Sequence, residues 1–141
     1  MAERYDLNDW DRQVIEEFRA NGGNVGGQLA GTSVLLLTTT GAKSGEPRTH
    51  SLAYLRDAGH IYVFAGNRGA PTNPAWYHNL VAHPEVTVEL GTETFEARAT
   101  VVENAEGERL GSIQVQNIPA LASLAAMLTR KVPVVLLERA K

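Results

Sequence analysis

Two short polar segments of this chain combine glycine residues with basic side chains. The first is Thr38-Thr39-Thr40-Gly41-Ala42-Lys43-Ser44-Gly45-Glu46-Pro47-Arg48, and the second is Ala65-Gly66-Asn67-Arg68-Gly69-Ala70-Pro71. Glycine lets backbone N–H groups approach a ligand closely, and Lys or Arg neutralises negative charge. Two such segments on one scaffold predict a binding site for an anionic small molecule.

Two aromatic side chains follow the second segment, within Asn73-Pro74-Ala75-Trp76-Tyr77-His78-Asn79-Leu80. A phosphate-binding segment beside a flat aromatic surface suits a phosphorylated cofactor that carries a ring system. Because adjacent helical positions point about 100° apart, we expect only one of Trp76 and Tyr77 to pack inward. Packing alone would also account for both rings, so the sequence leaves open which of them borders a ligand.

Size and composition narrow the class of protein. The chain has 141 residues, which predicts one domain over residues 1–141. It has no cysteine, which excludes disulfides and Cys-ligated metals and fits a cytoplasmic protein. The net charge of −3 gives no reason to expect nucleic-acid binding. The apolar runs are shorter than the ~20 residues of a membrane span, and the four histidines lack metal-ligand spacing, so no metal site is predicted.

Hydrophobic periodicity indicates the elements that must position these segments. Helices are predicted from Asn8 or Asp9 to Gly22-Gly23, from Pro74 to about Ala82, and over Glu103–Gln116 and Ala120–Leu128. Strands are predicted over Ser33–Thr39, Arg48–Arg56, His60–Ala65, Val86–Leu90, Phe95–Val101 and Val132–Glu138. Six strands without a βαβα order favour a mainly β (α+β) fold, a six-stranded and mostly antiparallel barrel flanked by helices.

Two motifs, Leu-Leu-Thr-Thr-Thr-Gly-x-Lys-Ser-Gly and Asn-Pro-x-Trp-Tyr-x-Asn-Leu, form a specific pair at this separation. Through Leu35–Arg48 and Pro74–Pro84, the chain resembles the deazaflavin-dependent nitroreductase family of actinobacteria. Members of that family are split β-barrels that use coenzyme F420, a 5-deazaflavin with a phosphate and an oligoglutamate tail. The resemblance is good over Asn8–Val102 and looser beyond it.

The resemblance implies cofactor-binding roles for three groups of residues. Those that fall where the family holds the phosphate and acidic tail are Thr40, Gly41, Lys43, Ser44, Gly45 and Arg48. Those that fall beside the deazaflavin ring are Ala65, Gly66, Asn67, Arg68 and Gly69, while Pro74, Trp76, Tyr77 and Asn79 fall on a helix along the same groove. Arg68 is either a second contact to the tail or an ordinary arginine at the end of a hairpin.

The implied activity is hydride transfer from reduced F420 to a small-molecule acceptor. A quinone or an activated alkene (an enone or a lactone) is the expected acceptor, with Tyr77 and Tyr54 as the predicted catalytic side chains. The segment Leu121-Ala122-Ser123-Leu124-Ala125-Ala126 lacks the tyrosines of members that reduce bulky nitroimidazoles, so reduction of nitroaromatics stays open.

Other functions and assemblies stay open at this point. An FMN- or FAD-binding split-barrel oxidoreductase is one alternative, and a non-catalytic carrier of a cofactor or fatty acyl chain is another. Split-barrel relatives often dimerise, which leaves a homodimer open. We expect no insertion into membranes.

Overall fold

A six-stranded barrel forms the centre of the computed structural model, which describes residues 9–23, 34–65, 72–102, 104–117 and 132–140. The elements follow one another as α1 (Asp9–Ala20), β1 (Val34–Thr40), β2 (Pro47–Asp57), β3 (His60–Phe64), α2 (Ala75–Ala82), β4 (Glu85–Leu90), β5 (Glu93–Val101), α3 (Asn104–Asn117) and β6 (Val134–Arg139). None of the described helices is long and apolar enough to cross a membrane.

The strands close on themselves in the order β1-β2-β3-β6-β5-β4. Every described neighbouring pair is antiparallel. The predicted antiparallel barrel of six strands is therefore confirmed. Antiparallel pairing also places the last residues of β1 and β3 at the same end of the barrel as the first residues of β2 and β4.

Strand alternation divides the apolar side chains into an inner and an outer set. Leu35 and Leu37 of β1 point inward and belong to the main core, together with residues of the other strands. Val34 and Leu36 point outward and pack against Ile15 and Phe18 of α1. Ile15 and Phe18 of α1 are therefore part of the packing on the outside of the barrel. Helix α3 covers another part of the outer surface, around Leu110, Leu55 and Tyr62.

The turn between β2 and β3 has the geometry that its sequence predicts. Ala58 and Gly59 have φ values of 52° and 82°. Two consecutive left-handed residues form the tight hairpin turn whose twist matches the flanking strands. Asp57 and His60 pair across this turn, so β2 and β3 form a hairpin.

Several predicted boundaries need correction by one or two residues. Pro74 is the N-cap of α2, with φ −69° and ψ 157°, and no side chain caps this helix. The prediction that this helix begins at Pro74 was wrong by one residue, because the extended backbone of Pro74 places the first turn one residue later. Strand β6 begins at Val134 instead of Val132, and β3 ends at Phe64 instead of Ala65. The helix predicted over residues 120–128 lies outside the described residues.

Candidate functional site

Residues 41–46 connect β1 to β2 and are called the β1–β2 loop below. The Gly41 N–H donates to the Glu46 carbonyl at 2.8 Å, and the Gly45 N–H donates to the Gly41 carbonyl at 3.0 Å. A Cβ atom at Gly41 would overlap the Ser44 hydroxyl. Gly45 has a φ of 72°, in the left-handed region that favours glycine. Gly45 is therefore needed for the shape of the loop, and Gly41 lets the Ser44 hydroxyl lie close to the backbone.

The tip of this loop presents hydrogen-bond donors outward. Four of its N–H groups donate to protein acceptors, namely those of Gly41, Ala42, Gly45 and Glu46. Within the described residues, the Lys43 and Ser44 N–H groups have no protein acceptor. The Lys43 side chain is exposed beside them. Two adjacent N–H groups next to an ammonium group form a favourable environment for an anion.

Arg48 places a second positive charge directly after the loop. Its side chain is only 15% exposed, and its Nη1 lies 3.3 Å from Oε2 of Glu46, whose side chain is 45% exposed. An ion pair with one exposed partner is weak, because water competes for the carboxylate. Glu46 therefore holds the guanidinium in place, and an incoming anion can compete with Glu46 for it.

Arg48 also begins a row of side chains along the inner face of β2. Because alternate residues share a face, this β2 inner row consists of Arg48, His50, Leu52 and Tyr54. Leu52 and Tyr54 pack against the main core. Strand β2 pairs with β1 over residues 47–53 but with β3 only over residues 54–57. Among the described strands, one edge of the first half of β2 therefore has no partner, and the inner row lies along this opening.

Helix α2 closes the same end of the barrel. Trp76 is 4% exposed and belongs to the main core, whereas Tyr77 is half-buried and packs against the edge of that core. The ring centroid of Tyr77 lies 5.6 Å from that of His78, which is exposed. As the helical geometry predicts, one ring of the pair packs fully inward. Tyr77 is the ring that keeps an accessible side.

Asn79 joins α2 to β1 and to the β1–β2 loop. The Ala42 N–H donates to Oδ1 of Asn79 at 3.0 Å. The Nδ2 group of Asn79 donates to Oγ1 of Thr39 at 3.2 Å. Asn79 is only 8% exposed and Thr39 only 1%. Both the oxygen and the nitrogen of this amide therefore form hydrogen bonds within the protein.

With this geometry in hand, the chain can be compared with known proteins. A sequence model of the family described as F420H(2)-dependent quinone reductase matches residues 10–139. The chain belongs to this family. An F420H(2)-dependent quinone reductase of Mycobacterium tuberculosis is 35% identical over 126 residues, which cover 86% of this chain and 85% of the relative.

Two solved structures are similar to this chain in both sequence and fold. An F420H2-dependent reductase called FDR-A is 33% identical, has a TM-score of 0.68, and is matched over 75% of this chain and 94% of its own. A structure described as a domain-swapped dimer is 31% identical, has a TM-score of 0.70, and is matched over 92% of this chain and 98% of its own. The predicted family, its dependence on F420 and its reductase chemistry are confirmed at the level of the quinone reductase family.

The individual site residues of this family member stay predictions, but many of them meet at one end of the barrel. The hydrogen bonds of Asn79 join α2 to the β1–β2 loop and to Thr39, which lies opposite Arg48 in the sheet. Ala65 follows β3 directly at the same end and is buried, with its N–H donating to the Pro133 carbonyl at 2.9 Å. The predicted ligands Gly66, Asn67, Arg68 and Gly69 lie outside the described residues.

Two inward-facing residues of the site were missing from the residues predicted to bind the cofactor. Thr39 follows Leu35 and Leu37 on the inner face of β1, whereas the predicted Thr40 lies on the other face of the strand. His50 lies between Arg48 and Leu52 in the β2 inner row. The two-residue alternation of each strand, continued beyond the last apolar residue, is the signal that identifies both.

Proposed function

We propose that this chain is a reductase that uses reduced F420 to reduce a quinone or an activated alkene. The observation that carries this proposal is the tip of the β1–β2 loop, where the Lys43 ammonium accompanies two N–H groups without a described protein acceptor. Arg48 adds a second cation at the base of the loop. This donor set fits the phosphate and carboxylates of the F420 tail.

Lys43, Ser44 and Arg48 would hold the acidic tail. A charge-assisted hydrogen bond of this kind contributes roughly 1.5–3 kcal/mol. The Ser44 hydroxyl accepts the Glu46 N–H at 3.2 Å, which leaves its own proton to donate. When bound, reduced F420 supplies the hydride, and this end of the barrel holds it against the acceptor.

The opposite end of the β2 inner row suits the ring and the acceptor. Leu52 and Tyr54 on β2, and Tyr77 on α2, pack against the main core and offer apolar surface that excludes water. A quinone takes up the hydride and one proton to become a hydroquinone. An enone takes the hydride at its β-carbon and a proton at its α-carbon. The hydroxyls of Tyr54 and Tyr77 are the proposed donors toward the oxygen on which negative charge develops.

A titration and a turnover assay test this proposal. Purified protein is titrated with F420 by fluorescence, then mixed with reduced F420 and menadione, a coumarin lactone or a nitroimidazole. We expect binding of F420 and return of the fluorescence of the oxidised coenzyme with menadione or the lactone. Binding without turnover of any acceptor would favour a carrier. A purified protein that is yellow with bound flavin and does not bind F420 would favour the FMN or FAD alternative.

We further propose that residues 1–141 form one domain that assembles as a homodimer. The support is the solved relative, 31% identical, that is described as a domain-swapped dimer. Light scattering coupled to size-exclusion chromatography should give twice the 15.3 kDa mass of the chain. A monomeric mass across the concentrations of the binding assay would contradict this assembly.

A further inference from the structure

We propose that Asn79 is a positioning residue, which holds the β1–β2 loop and the end of β1 in the shape that binds an anion. This proposal rests on the function proposed above and concerns how the same site is built. Asn79 lies in the last turn of α2, next to the buried Leu80. A residue fixed to the core in this way can hold a loop that has little apolar packing of its own.

Each of the two hydrogen bonds of Asn79 fixes a residue that adjoins one of the two cations, Lys43 or Arg48. One bond fixes the Ala42 N–H, which directly precedes Lys43. The other fixes the hydroxyl of Thr39, which lies opposite Arg48 in the pairing of β1 with β2. A single side chain therefore sets where Lys43 leaves the loop and where Arg48 leaves β2.

Burial gives these bonds their importance. Thr39 and Asn79 are both buried, so removing one partner leaves a polar group that water does not readily reach. The loop residues Ala42, Lys43, Ser44 and Gly45 are exposed and contribute little packing. In the described part of the chain, the Ala42–Asn79 hydrogen bond connects the exposed tip of this loop to α2.

A positioning role and a direct contact to the cofactor predict different couplings. If Asn79 acts through the loop and through Thr39, its loss should matter much less once Lys43 is absent, because only the part that acts through Arg48 remains. If Asn79 touches the cofactor itself, its effect should add to that of Lys43. The positioning role also predicts a selective loss of affinity for F420, compared with the deazaflavin chromophore that lacks the phosphate and glutamates.

The binding experiment is a double-mutant cycle on the full chain, with F420 fluorescence as the readout. We expect Asn79→Ala to weaken F420 binding about tenfold in the native background, but about twofold or less in the Lys43→Ala background. Binding of the tail-free chromophore should change by less than about twofold. Thr39→Val, which removes one of the two bonds and keeps the volume, should weaken F420 binding by about threefold and carries the test if Asn79→Ala does not fold.

Amide hydrogen exchange gives a readout in the protein without cofactor. We expect the Ala42 N–H to exchange at least about tenfold faster in Asn79→Ala than in the native protein. Thr38→Val is the matched control, because it removes a threonine hydrogen bond, to Thr49 at 2.8 Å, from the outer face of the same strand. In this control, both the exchange at Ala42 and the F420 affinity should stay within about twofold of native.

The outcomes separate the two proposals. Native protein that binds F420, together with additive effects of Asn79→Ala and Lys43→Ala or unchanged exchange at Ala42, would overturn the positioning role alone. Equal loss of affinity for F420 and for the tail-free chromophore would also overturn it, in favour of a direct contact. Native protein that does not bind F420 would overturn the proposed function and this inference with it.

Discussion

Helices α2 and α3 are both attached to the barrel, but by different kinds of polar contact. Helix α2 is held by Asn79, whose two hydrogen bonds connect buried or partly buried groups. Helix α3 is joined to β2 by Arg109, which pairs with Asp57 at 2.9 Å and with Glu106 of its own helix on the solvent side, and by a long bond of 3.5 Å from Gln114 to the Tyr54 carbonyl. Breaking a buried hydrogen bond leaves an unsatisfied group, whereas exposed ion pairs exchange readily with water. The comparison indicates that α2 fixes the position of the β1–β2 loop against β1, while α3 mainly covers the barrel.

The apolar contacts of the two helices are more alike. Trp76 and Leu80 bury α2 in the main core, and Leu110 buries α3 against the outer surface of the barrel. Both helices therefore stabilise the fold by removing apolar surface from water. The polar contacts, and the end of the barrel at which they lie, distinguish the helix that supports the candidate site.

The largest expected effect comes from removing the apolar anchor of each helix. Trp76→Ala should lower the free energy of unfolding by about 3–5 kcal/mol, and Leu110→Ala by about 2–5 kcal/mol, because each leaves a cavity. Among the molecules that remain folded, only Trp76→Ala should also bind F420 more weakly, because it loosens α2. Urea denaturation and F420 titration measure the two quantities. Equal affinities in the two variants would remove the distinction between the helices.

The next largest effect is expected at Lys43, compared with Arg109 on α3. Lys43→Ala should weaken F420 binding about tenfold or more, because it removes a charge-assisted hydrogen bond to the acidic tail. Arg109→Ala is the control, since it removes the same charge from the surface beside α3. We expect its dissociation constant to stay within about twofold of native. The loss of affinity in Lys43→Ala should be smaller at high salt. Equal losses of affinity in Lys43→Ala and Arg109→Ala would show that only the net charge of the protein matters.

A smaller effect is expected from the carboxylate beside Arg48. Glu46→Gln removes the partner that lies 3.3 Å from the guanidinium. Loss of this carboxylate should tighten F420 binding about twofold to fivefold at low salt, because less negative charge then opposes the anion. Glu106→Gln makes the same change on α3 and should leave affinity unaltered. Weaker binding by Glu46→Gln would show that Glu46 helps binding by orienting Arg48 more than it hinders binding by competing with F420 for the guanidinium.

The sequence predicts the fold well because its patterns are local. Alternating Val86 and Val88, and the left-handed turn at Ala58-Gly59, specify strands and hairpins from adjacent residues. The order of the strands around the closed barrel depends on contacts between distant segments. The sequence offers no local signal that β6 inserts between β3 and β5.

The candidate site could be predicted only in part. The glycines and cations of the β1–β2 loop are adjacent in sequence, so their common role is visible there. The hydrogen bonds of Asn79 to Thr39 and Ala42 join residues 40 and 37 positions apart. An Asn on a short helix looks the same in sequence whether it binds a ligand or another part of the chain. The resemblance therefore indicated that Asn79 belongs to the site but not how it acts.

The smallest predicted effect belongs to α3 and appears only at high pH. Burial of Tyr62, followed by the nearby carboxylates of Glu106 and Asp57, raises the pKa of its phenol, while Arg109 lowers it. Because the unfolded chain then loses this proton first, as pH rises above about 10, the contribution of Tyr62 to stability is complete below that pH and declines above it. Urea denaturation between pH 8 and pH 11 should show a shallower decline in Tyr62→Phe than in the native protein. Arg109→Ala should extend the decline to higher pH, since it removes the charge that favours the phenolate. Equal declines in the native protein and Tyr62→Phe would mean that the phenol is solvated, and that the ion pairs beside α3 do not shield it from water.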